Sequence, residues 1–157
     1  MIQIGDTLPD VEVFEANPSQ KVTTAQLFDG KRCLLFGVIG AFTSGCSKVH
    51  LSGYVADAGA LHDKGFAEIF CVSVNDAAVM SAWGASQGAE GKVRLLADPQ
   101  GALTKALGLD IQVAHLGGLR SKRYAMIVDT GVVTDLQVEP DSFGLTCSLA
   151  SSILDRA

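Results

Sequence analysis

The residue with the clearest chemical potential in this chain is Cys46, which closes the segment Gly40–Cys46. An apolar run, Cys33–Val38, comes before that segment, and a stretch compatible with a helix, Ser47–His62, follows it. A cysteine on a strand-to-helix turn meets backbone N–H groups and the positive end of a helix dipole, and both favour a thiolate over a thiol. Cys46 is therefore the candidate nucleophile.

A helix dipole alone would not ionise such a thiol. It contributes at most about 2 kcal/mol, whereas lowering the pKa of a free thiol from about 8.5 to about 6 takes roughly 3.4 kcal/mol. We therefore expect a cation beside the candidate nucleophile. His50, one helical turn after Cys46, either tunes the thiolate or caps and packs against its neighbours.

The other three cysteines give weaker signals. Cys33 and Cys71 lie inside apolar runs typical of buried strands, where a thiol is usually an inert core side chain. Cys147, judged on its surroundings alone, is an ordinary helix residue. No Cys-x-x-Cys pair occurs and no histidine stands at metal-ligand spacing, which disfavours a zinc site and a dithiol redox motif. Reduced thiols of this kind fit an intracellular protein.

Five further residues that attract attention have ordinary structural interpretations. We expect His62 and His115 at the surface, Arg120 and Lys122 on a solvated loop, and Trp83 in helix packing. None of them predicts a binding site.

Size and charge limit the classes of function. With 157 residues, of which 48% are hydrophobic, we predict one domain, residues 1–157, with an ample core. The net charge of −5 argues against a nucleic-acid partner, and Arg120–Arg123 is the local exception. The longest apolar run, Cys33–Phe42, is far too short to cross a bilayer, so we expect no membrane association.

Short β-branched runs alternate with helical stretches, without an internal repeat or a linker, which predicts an α/β domain. Asp76 is a candidate N-cap, Asp98 is expected to cap a helix that starts at Pro99, and we predict a loop over Gly108–Ser121. The predicted strands are Val11–Phe14 at a sheet edge, Cys33–Val38, Ile69–Val74, Val93–Ala97, and the hairpin of Tyr124–Val128 with Val132–Val138. The predicted helices are Thr23–Phe28, Ser47–His62, Ala77–Gln87, Pro99–Leu107 and Thr146–Leu154.

This order of elements is that of a thioredoxin-like fold, in which a central mixed β-sheet is flanked by helices. Individual motifs are more specific, because they resemble the peroxiredoxin 5 subfamily over nearly the whole chain. The segments that carry this resemblance are Leu35–Val38, Gly40–Thr43, Gly45–Lys48, His50–Leu51, Ser73–Asp76, Glu90–Pro99, Val138–Asp141 and Gly144–Leu149.

The resemblance implies a thiol peroxidase with an atypical two-cysteine cycle. Cys46 would attack the terminal oxygen of a hydroperoxide, leaving a sulfenic acid and releasing water or an alcohol. Cys147 would be the resolving thiol, closing an intramolecular disulfide that thioredoxin or a similar thiol reductant reduces. The chemistry would use sulfur alone, with no metal or organic cofactor. The family likeness also suggests a homodimer.

The same resemblance assigns roles around the nucleophile. Arg123 would be the expected cation and would also hold the peroxide oxygens. The hydroxyl of Thr43 would hydrogen-bond to the peroxide, and the N–H groups of Gly45 and Cys46 would stabilise the developing negative charge. His50 is expected to support this arrangement from behind.

The chain departs from the subfamily at three positions where proline is usual, namely Ile39, Ser44 and Ser52. Ile39 can shield Cys46 from water by its bulk, but it cannot fix the backbone as a ring does, and it adds an N–H group that needs a partner. We therefore predict weakened, but not absent, peroxidase activity, because small displacements of reacting groups slow reactions strongly.

Two other functions remain to be weighed against a peroxidase. One is a redox-responsive binding or signalling protein that kept the scaffold and lost turnover. A thioredoxin-like disulfide reductase is disfavoured by the missing Cys-x-x-Cys pair. We expect an intracellular, cytoplasmic protein, and leave mitochondrial or peroxisomal delivery open.

Overall fold

A seven-stranded mixed β-sheet forms the centre of the computed structural model, which describes residues 1–157. Its strands are β1 (Glu12–Glu15), β2 (Lys21–Thr23), β3 (Arg32–Gly37), β4 (Glu68–Ser73), β5 (Arg94–Ala97), β8 (Tyr124–Asp129) and β9 (Val132–Val138), and a separate hairpin contains β6 (Asp110–Val113) and β7 (Gly118–Ser121). The order across the sheet is β2-β1-β5-β4-β3-β8-β9. The three central strands, β3, β4 and β5, run parallel, whereas the outer pairs are antiparallel.

Helices cover both faces of this sheet. They are α1 (Thr24–Phe28), α2 (Ser52–Asp63), α3 (Ala77–Ser86), α4 (Ala102–Leu107) and α5 (Ala150–Arg156), together with a π-helical segment, Cys46–Leu51, and a 3₁₀ turn, Ala114–Leu116. The π-helical segment runs directly into α2. This architecture is the thioredoxin-like α/β fold that the sequence predicts. None of the helices combines the length and apolar character that a bilayer crossing requires.

The sheet separates two hydrophobic cores, and alternate residues of each strand supply them. On β3, Leu34 and Phe36 point into the core that contains Cys46, whereas Cys33 and Leu35 point into the other. Because β3 lies in the middle of the sheet and is buried on both faces, its sequence is a continuous apolar run. The strand therefore anchors the loop that leads to Cys46.

Several predicted elements are confirmed. The hairpin of β8 and β9 forms as expected, with a bulge at Ile127/Val128. Asp76 caps α3 by accepting a hydrogen bond from the N–H of Val79 at 2.8 Å. The predicted long helix Ser47–His62 is also present, and Gly65 has a φ of +97° just after that helix ends.

Two predictions about the sheet are wrong. The strand predicted at a sheet edge, Val11–Phe14, is flanked on both sides, because the short strand Lys21–Thr23 pairs outside it. The predicted loop Gly108–Ser121 is the hairpin of β6 and β7. The 3₁₀ turn Ala114–Leu116 connects these strands, and Gly117 and Gly118, both with positive φ, lead from that turn into β7.

Two helix starts also differ from the prediction. Gly101 takes a φ of +70°, so α4 begins at Ala102 and not at Pro99. Asp98 still serves the first turn of that helix, since its buried carboxylate accepts hydrogen bonds from Leu103 and Thr104. The last helix begins at Ala150 and not at Thr146, because Thr146 and its neighbours bond to a buried carboxylate instead.

Candidate active site

The sulfur of Cys46 lies at the start of the π-helical segment, at the end of the loop that follows β3. The residue is fully buried and belongs to the same core as Ile39, Phe36 and Trp83. The indole N–H of Trp83 donates to the hydroxyl of Ser47 at 2.8 Å, which ties α3 to the residue after the nucleophile. Ile39 is itself buried, at 4% exposure, within this core.

Arg123 brings a buried positive charge to this sulfur. Its NH1 donates to Cys46 Sγ at 3.3 Å, and its Nε donates to the carbonyl of Phe143 at 3.2 Å. The side chain lies just before β8, beside the carboxyl end of β3, because these strands pair from Gly37 onward. Arg123 takes part in none of the ion pairs of the chain. A buried guanidinium with no carboxylate partner is well placed to stabilise an anionic sulfur.

His50 holds the other side of this guanidinium. Its Nδ1 lies 3.1 Å from Arg123 NH1, and its Nε2 lies 3.1 Å from the carbonyl oxygen of Ser148. Since a carbonyl can only accept, Nε2 carries the hydrogen and Nδ1 accepts from Arg123. Burial and the charge of Arg123 lower the pKa of His50 to about 3. His50 is therefore neutral at physiological pH, and it orients Arg123 without competing with it as a cation.

Thr43 and Gly45 lie shortly before Cys46 in the chain: Thr43 ends the loop, and Gly45 has helical dihedrals directly before the π-helical segment. The hydroxyl of Thr43 donates to the carbonyl of Gly40 at 2.7 Å, so its lone pairs can accept a hydrogen bond from a peroxide. Thr43 hydrogen-bonds to neither Cys46 nor Arg123. Gly45 lies against Arg123, where an added Cβ would stand 3.5 Å from NH2 and 3.3 Å from Leu145 Cδ1. The absence of a side chain at Gly45 keeps this approach open.

Phe42, next to Thr43, is bent into a strained conformation. Its φ is +63°, a region that bulky residues rarely adopt, and 57% of its side chain is exposed. This turn places the carbonyl of Thr43 to accept the N–H of Ser47 at 2.9 Å.

Cys147 is not bonded to Cys46 in this structure. All four cysteines are free, and the thiol of Cys147 donates to the carbonyl of Val138 at 3.6 Å. The residue is half-buried, and burial together with the charge of Glu139 raises its pKa. Cys147 is thus held as a thiol against the main chain at the end of β9.

Cys33 and Cys71 are core residues, as predicted. Neither is accessible to solvent. Burial raises the pKa of Cys33 to about 11, and burial followed by the proximity of Cys46 raises the pKa of Cys71.

One prediction near the site is wrong. Arg120 does not lie on a solvated loop, because it is half-buried on β7 and donates to the carbonyls of Leu116 and Val74. A Cβ added at Gly40 would lie 3.1 Å from Arg120 NH1. Arg120 therefore supports the loop that carries Thr43 and Cys46. His62 and His115 are exposed and Trp83 is fully buried, as expected.

The sequence analysis missed Tyr54, Ser148 and Glu139. The hydroxyl of Tyr54 donates to the carbonyl of Ser148 at 2.6 Å, beside the His50 contact, and its ring stacks on Phe36 at 3.9 Å. Glu139 is buried and accepts hydrogen bonds from Ser148 and Thr146. For Glu139 and Ser148, the available signal was their position in the segments Val138–Asp141 and Gly144–Leu149, whose likeness to a family does not say what each residue contacts.

Residues 3–153 match the family model described as Redoxin. The chain belongs to the Redoxin family. Its sequence is 44% identical to Peroxiredoxin-2E-2, chloroplastic, of Oryza sativa subsp. japonica, over 98% of this chain and 71% of that protein. Among solved structures it is similar to reduced Prx3 from Vibrio vulnificus in complex with hydrogen peroxide, at 47% identity, full coverage of both chains and a TM-score of 0.95.

A third similar protein is peroxiredoxin 5 from Alvinella pompejana, at 38% identity, full coverage of both chains and a TM-score of 0.86. With these peroxiredoxin relatives and a buried cysteine beside an arginine, this Redoxin-family protein is a thiol-dependent peroxidase, an oxidoreductase that acts on peroxide. No group of three or more His, Cys, Asp or Glu residues is arranged to hold a metal ion.

Proposed function

We propose that the protein reduces hydrogen peroxide and organic hydroperoxides through Cys46, and that Cys147 then closes an intramolecular disulfide that thioredoxin or a similar thiol reductant reduces. This is the cycle expected of the peroxiredoxin 5 subfamily, to which we assign the chain. The observation that carries the proposal is the 3.3 Å contact between Arg123 NH1 and Cys46 Sγ, inside a fully buried site.

In the first step, the Cys46 thiolate attacks the terminal oxygen of the hydroperoxide. The S–O bond forms as the O–O bond breaks, the sulfur becomes a sulfenic acid, and the leaving alkoxide or hydroxide takes up a proton from water. Arg123 stabilises the negative charge that moves from sulfur to the leaving oxygen, and Thr43 accepts the hydrogen bond of the peroxide O–H. The backbone N–H groups of Gly45 and Cys46 also donate hydrogen bonds to the developing negative charge.

In the second step, Cys147 attacks the sulfenic sulfur. The disulfide forms and the sulfenic oxygen leaves as water, with the thiol proton. Cys147 has a raised pKa where it stands, because of burial and the charge of Glu139. When Cys147 leaves this half-buried position beside Glu139, its pKa falls. The same displacement that carries Cys147 toward Cys46 therefore also makes it more nucleophilic.

Mass mapping after one equivalent of peroxide tests this cycle. The proposal predicts a 46–147 bridge in the parent and a trapped sulfenic acid on Cys46 in Cys147→Ser. A bridge between Cys46 and Cys71, or between two chains, would overturn the resolving role of Cys147. Sustained peroxide consumption with thioredoxin is expected, and its absence would overturn the choice of reductant.

A redox-responsive binding protein is the second candidate, and Ile39 in the place of proline favours it. Both functions produce a sulfenic acid on Cys46, so oxidation alone does not separate them. Turnover does, since the sensor would be oxidised once and then capture a partner.

We further propose an intracellular homodimer. Three exposed apolar side chains lie around the site: Phe42, Val49 and Phe143, with exposed fractions of 57%, 42% and 44%. Apolar groups gathered near one site are typical of an interaction surface. Sedimentation of the purified protein should give twice the monomer mass, and Phe42→Ser should shift the equilibrium toward monomer.

A further inference from the structure

Glu139 is a buried carboxylate that the peroxidase mechanism does not use. Its side chain accepts four hydrogen bonds, from the N–H and hydroxyl groups of Thr146 and Ser148, at 2.6 to 3.0 Å. No cation forms an ion pair with it. Burial raises the pKa of Glu139, but the hydrogen bonds from Ser148 and Thr146 outweigh that effect and lower the pKa to about 2. The carboxylate is therefore ionised at neutral pH and fastens the segment on both sides of Cys147.

The peptide that Glu139 fastens also reaches the nucleophile. With its N–H and hydroxyl bound to Glu139, Ser148 turns its carbonyl toward His50 Nε2 at 3.1 Å and Tyr54 Oη at 2.6 Å. That carbonyl fixes which nitrogen of His50 carries the hydrogen, and so leaves Nδ1 free to accept from Arg123. Arg123 in turn donates to Cys46.

The backbone of Glu139 supports the same guanidinium. Its N–H donates to the carbonyl of Arg123 at 3.0 Å, and its carbonyl accepts from the N–H of Ser142, whose own carbonyl accepts from the N–H of Arg123. The turn that begins at Glu139 therefore holds Arg123 by its main chain, while the carboxylate acts on it through Ser148 and His50.

We propose that Glu139 is a positioning residue for the peroxidase reaction, which aligns Arg123 with the Cys46 sulfur through Ser148 and His50 and at the same time restrains Cys147. The second half of this statement rests on the proposed resolving role of Cys147; the first half does not. Weakening the carboxylate should then slow the attack on peroxide and speed the closure of the disulfide.

Glu139→Gln is the direct test, because the amide replaces an oxygen that accepts hydrogen bonds by a group that donates them. In a Cys147→Ser background, stopped-flow oxidation of Cys46 by hydrogen peroxide should slow on the order of tenfold. With Cys147 present, conversion of the sulfenic acid into the disulfide should speed up by a similar factor. Asp98→Asn is the matched control, since Asp98 is also a buried carboxylate, it accepts hydrogen bonds only from Leu103 and Thr104 at α4, and it should change neither rate.

A spectroscopic signature separates positioning from general loss of stability. Nitrogen chemical shifts of the His50 ring should report a single tautomer, with the hydrogen on Nε2, in the parent and in Asp98→Asn, and a mixture of tautomers in Glu139→Gln. Val133→Ala, a cavity variant in the opposite core, lowers stability without touching the site and should keep the single tautomer.

Thr146→Val serves if Glu139→Gln fails to fold, because it removes one exposed hydroxyl donor and keeps the shape of the side chain. It should shift both rates in the same directions by a smaller factor. Unchanged peroxide oxidation and an unchanged His50 tautomer in the folded variants would overturn the proposal. If the first step slows but no Cys46–Cys147 bridge forms in any variant, the positioning of Arg123 stands and the resolving role of Cys147 fails.

Discussion

The guanidinium of Arg123 and the sulfur of Cys46 lie 3.3 Å apart in a site that excludes solvent, and no carboxylate competes for the charge. A helix terminus gives an anion at most about 2 kcal/mol, and a charge-assisted contact at this distance adds to it where water cannot screen the interaction. We therefore expect the reactivity of the thiol to depend on the geometry of one arginine.

Arg123→Lys tests whether that geometry matters beyond the charge. Lysine keeps a positive charge but cannot donate to Cys46, His50 and Phe143 from one planar group. We expect the rate of Cys46 oxidation by hydrogen peroxide to fall on the order of a hundredfold, as for a misplaced reacting group. Arg156→Lys, in a surface ion pair with Asp135, is the control and should leave the rate unchanged. An equal rate in Arg123→Lys would show that charge alone suffices.

The acid side of the stability profile should report His50. Its pKa is about 3 in the folded protein, below the ordinary value of 6.5, so the unfolded chain binds the extra proton between these values. Stability therefore falls as the pH drops below about 6, by up to about 1.4 kcal/mol per pH unit from this group. Glu139 adds little to this pH dependence above pH 4.5, its ordinary value. Its pKa in the folded protein is lower, about 2, so the stability that it contributes is lost only at more acidic pH.

Urea unfolding between pH 4.5 and 7 measures this dependence. The parent should lose stability on acidification in that window, and His50→Gln should lose much less. A parent profile that is flat from pH 7 to 4.5 would contradict the assignment of a neutral, buried His50.

Gly37 should tolerate no side chain. An added Cβ would overlap the ring of Tyr124, which packs across β3 and β8. Gly37→Ala should cost about 3 kcal/mol or more, because neither strand can shift in the middle of the sheet. Gly59→Ala is the matched control, since nothing lies within 4 Å of that position on α2, and it should stabilise the protein by about 0.5–1 kcal/mol. Denaturant midpoints compare the two, and similar midpoints would refute the packing argument.

Ile39→Pro tests whether the missing ring weakens the enzyme. A proline would fix the backbone of the loop before Cys46, and we expect peroxide oxidation to become several-fold faster. Ile39→Ala removes bulk without adding a ring, so it should not accelerate the reaction. A slower reaction in Ile39→Pro would show that the loop has adapted to isoleucine.

Elements with long, regular patterns were predictable from the sequence. Cys33–Val38 gave β3 within one residue, because a central strand buried on both faces must be apolar throughout. The strand Lys21–Thr23 was missed, since three residues at a sheet edge carry no period. The hairpin within Gly108–Ser121 was missed as well. Adjacent glycines are typical of a loop, but here Gly117 and Gly118 lie where the connection between the two strands enters β7.

Without the family likeness, the site was predictable only where a residue acts on its own neighbours in the sequence. Cys46 is recognisable from its turn, and Arg123 from likeness to a family. Glu139 was missed because its role exists only once Thr146 and Ser148 fold back onto it. Arg120 was misjudged because the partners that bury it, the carbonyls of Val74 and Leu116, come from two separate loops.

The most direct test of the account is the rate at which Cys46 is oxidised by hydrogen peroxide in a single turnover. Trp83, the one tryptophan in the chain, bonds to the residue after Cys46 and makes its fluorescence a reporter of the step. We predict a second-order rate constant orders of magnitude above that of free cysteine in the same buffer, and its loss in Cys46→Ser. A rate no faster than that of free cysteine would contradict the claim that Arg123 and the surrounding fold activate this sulfur.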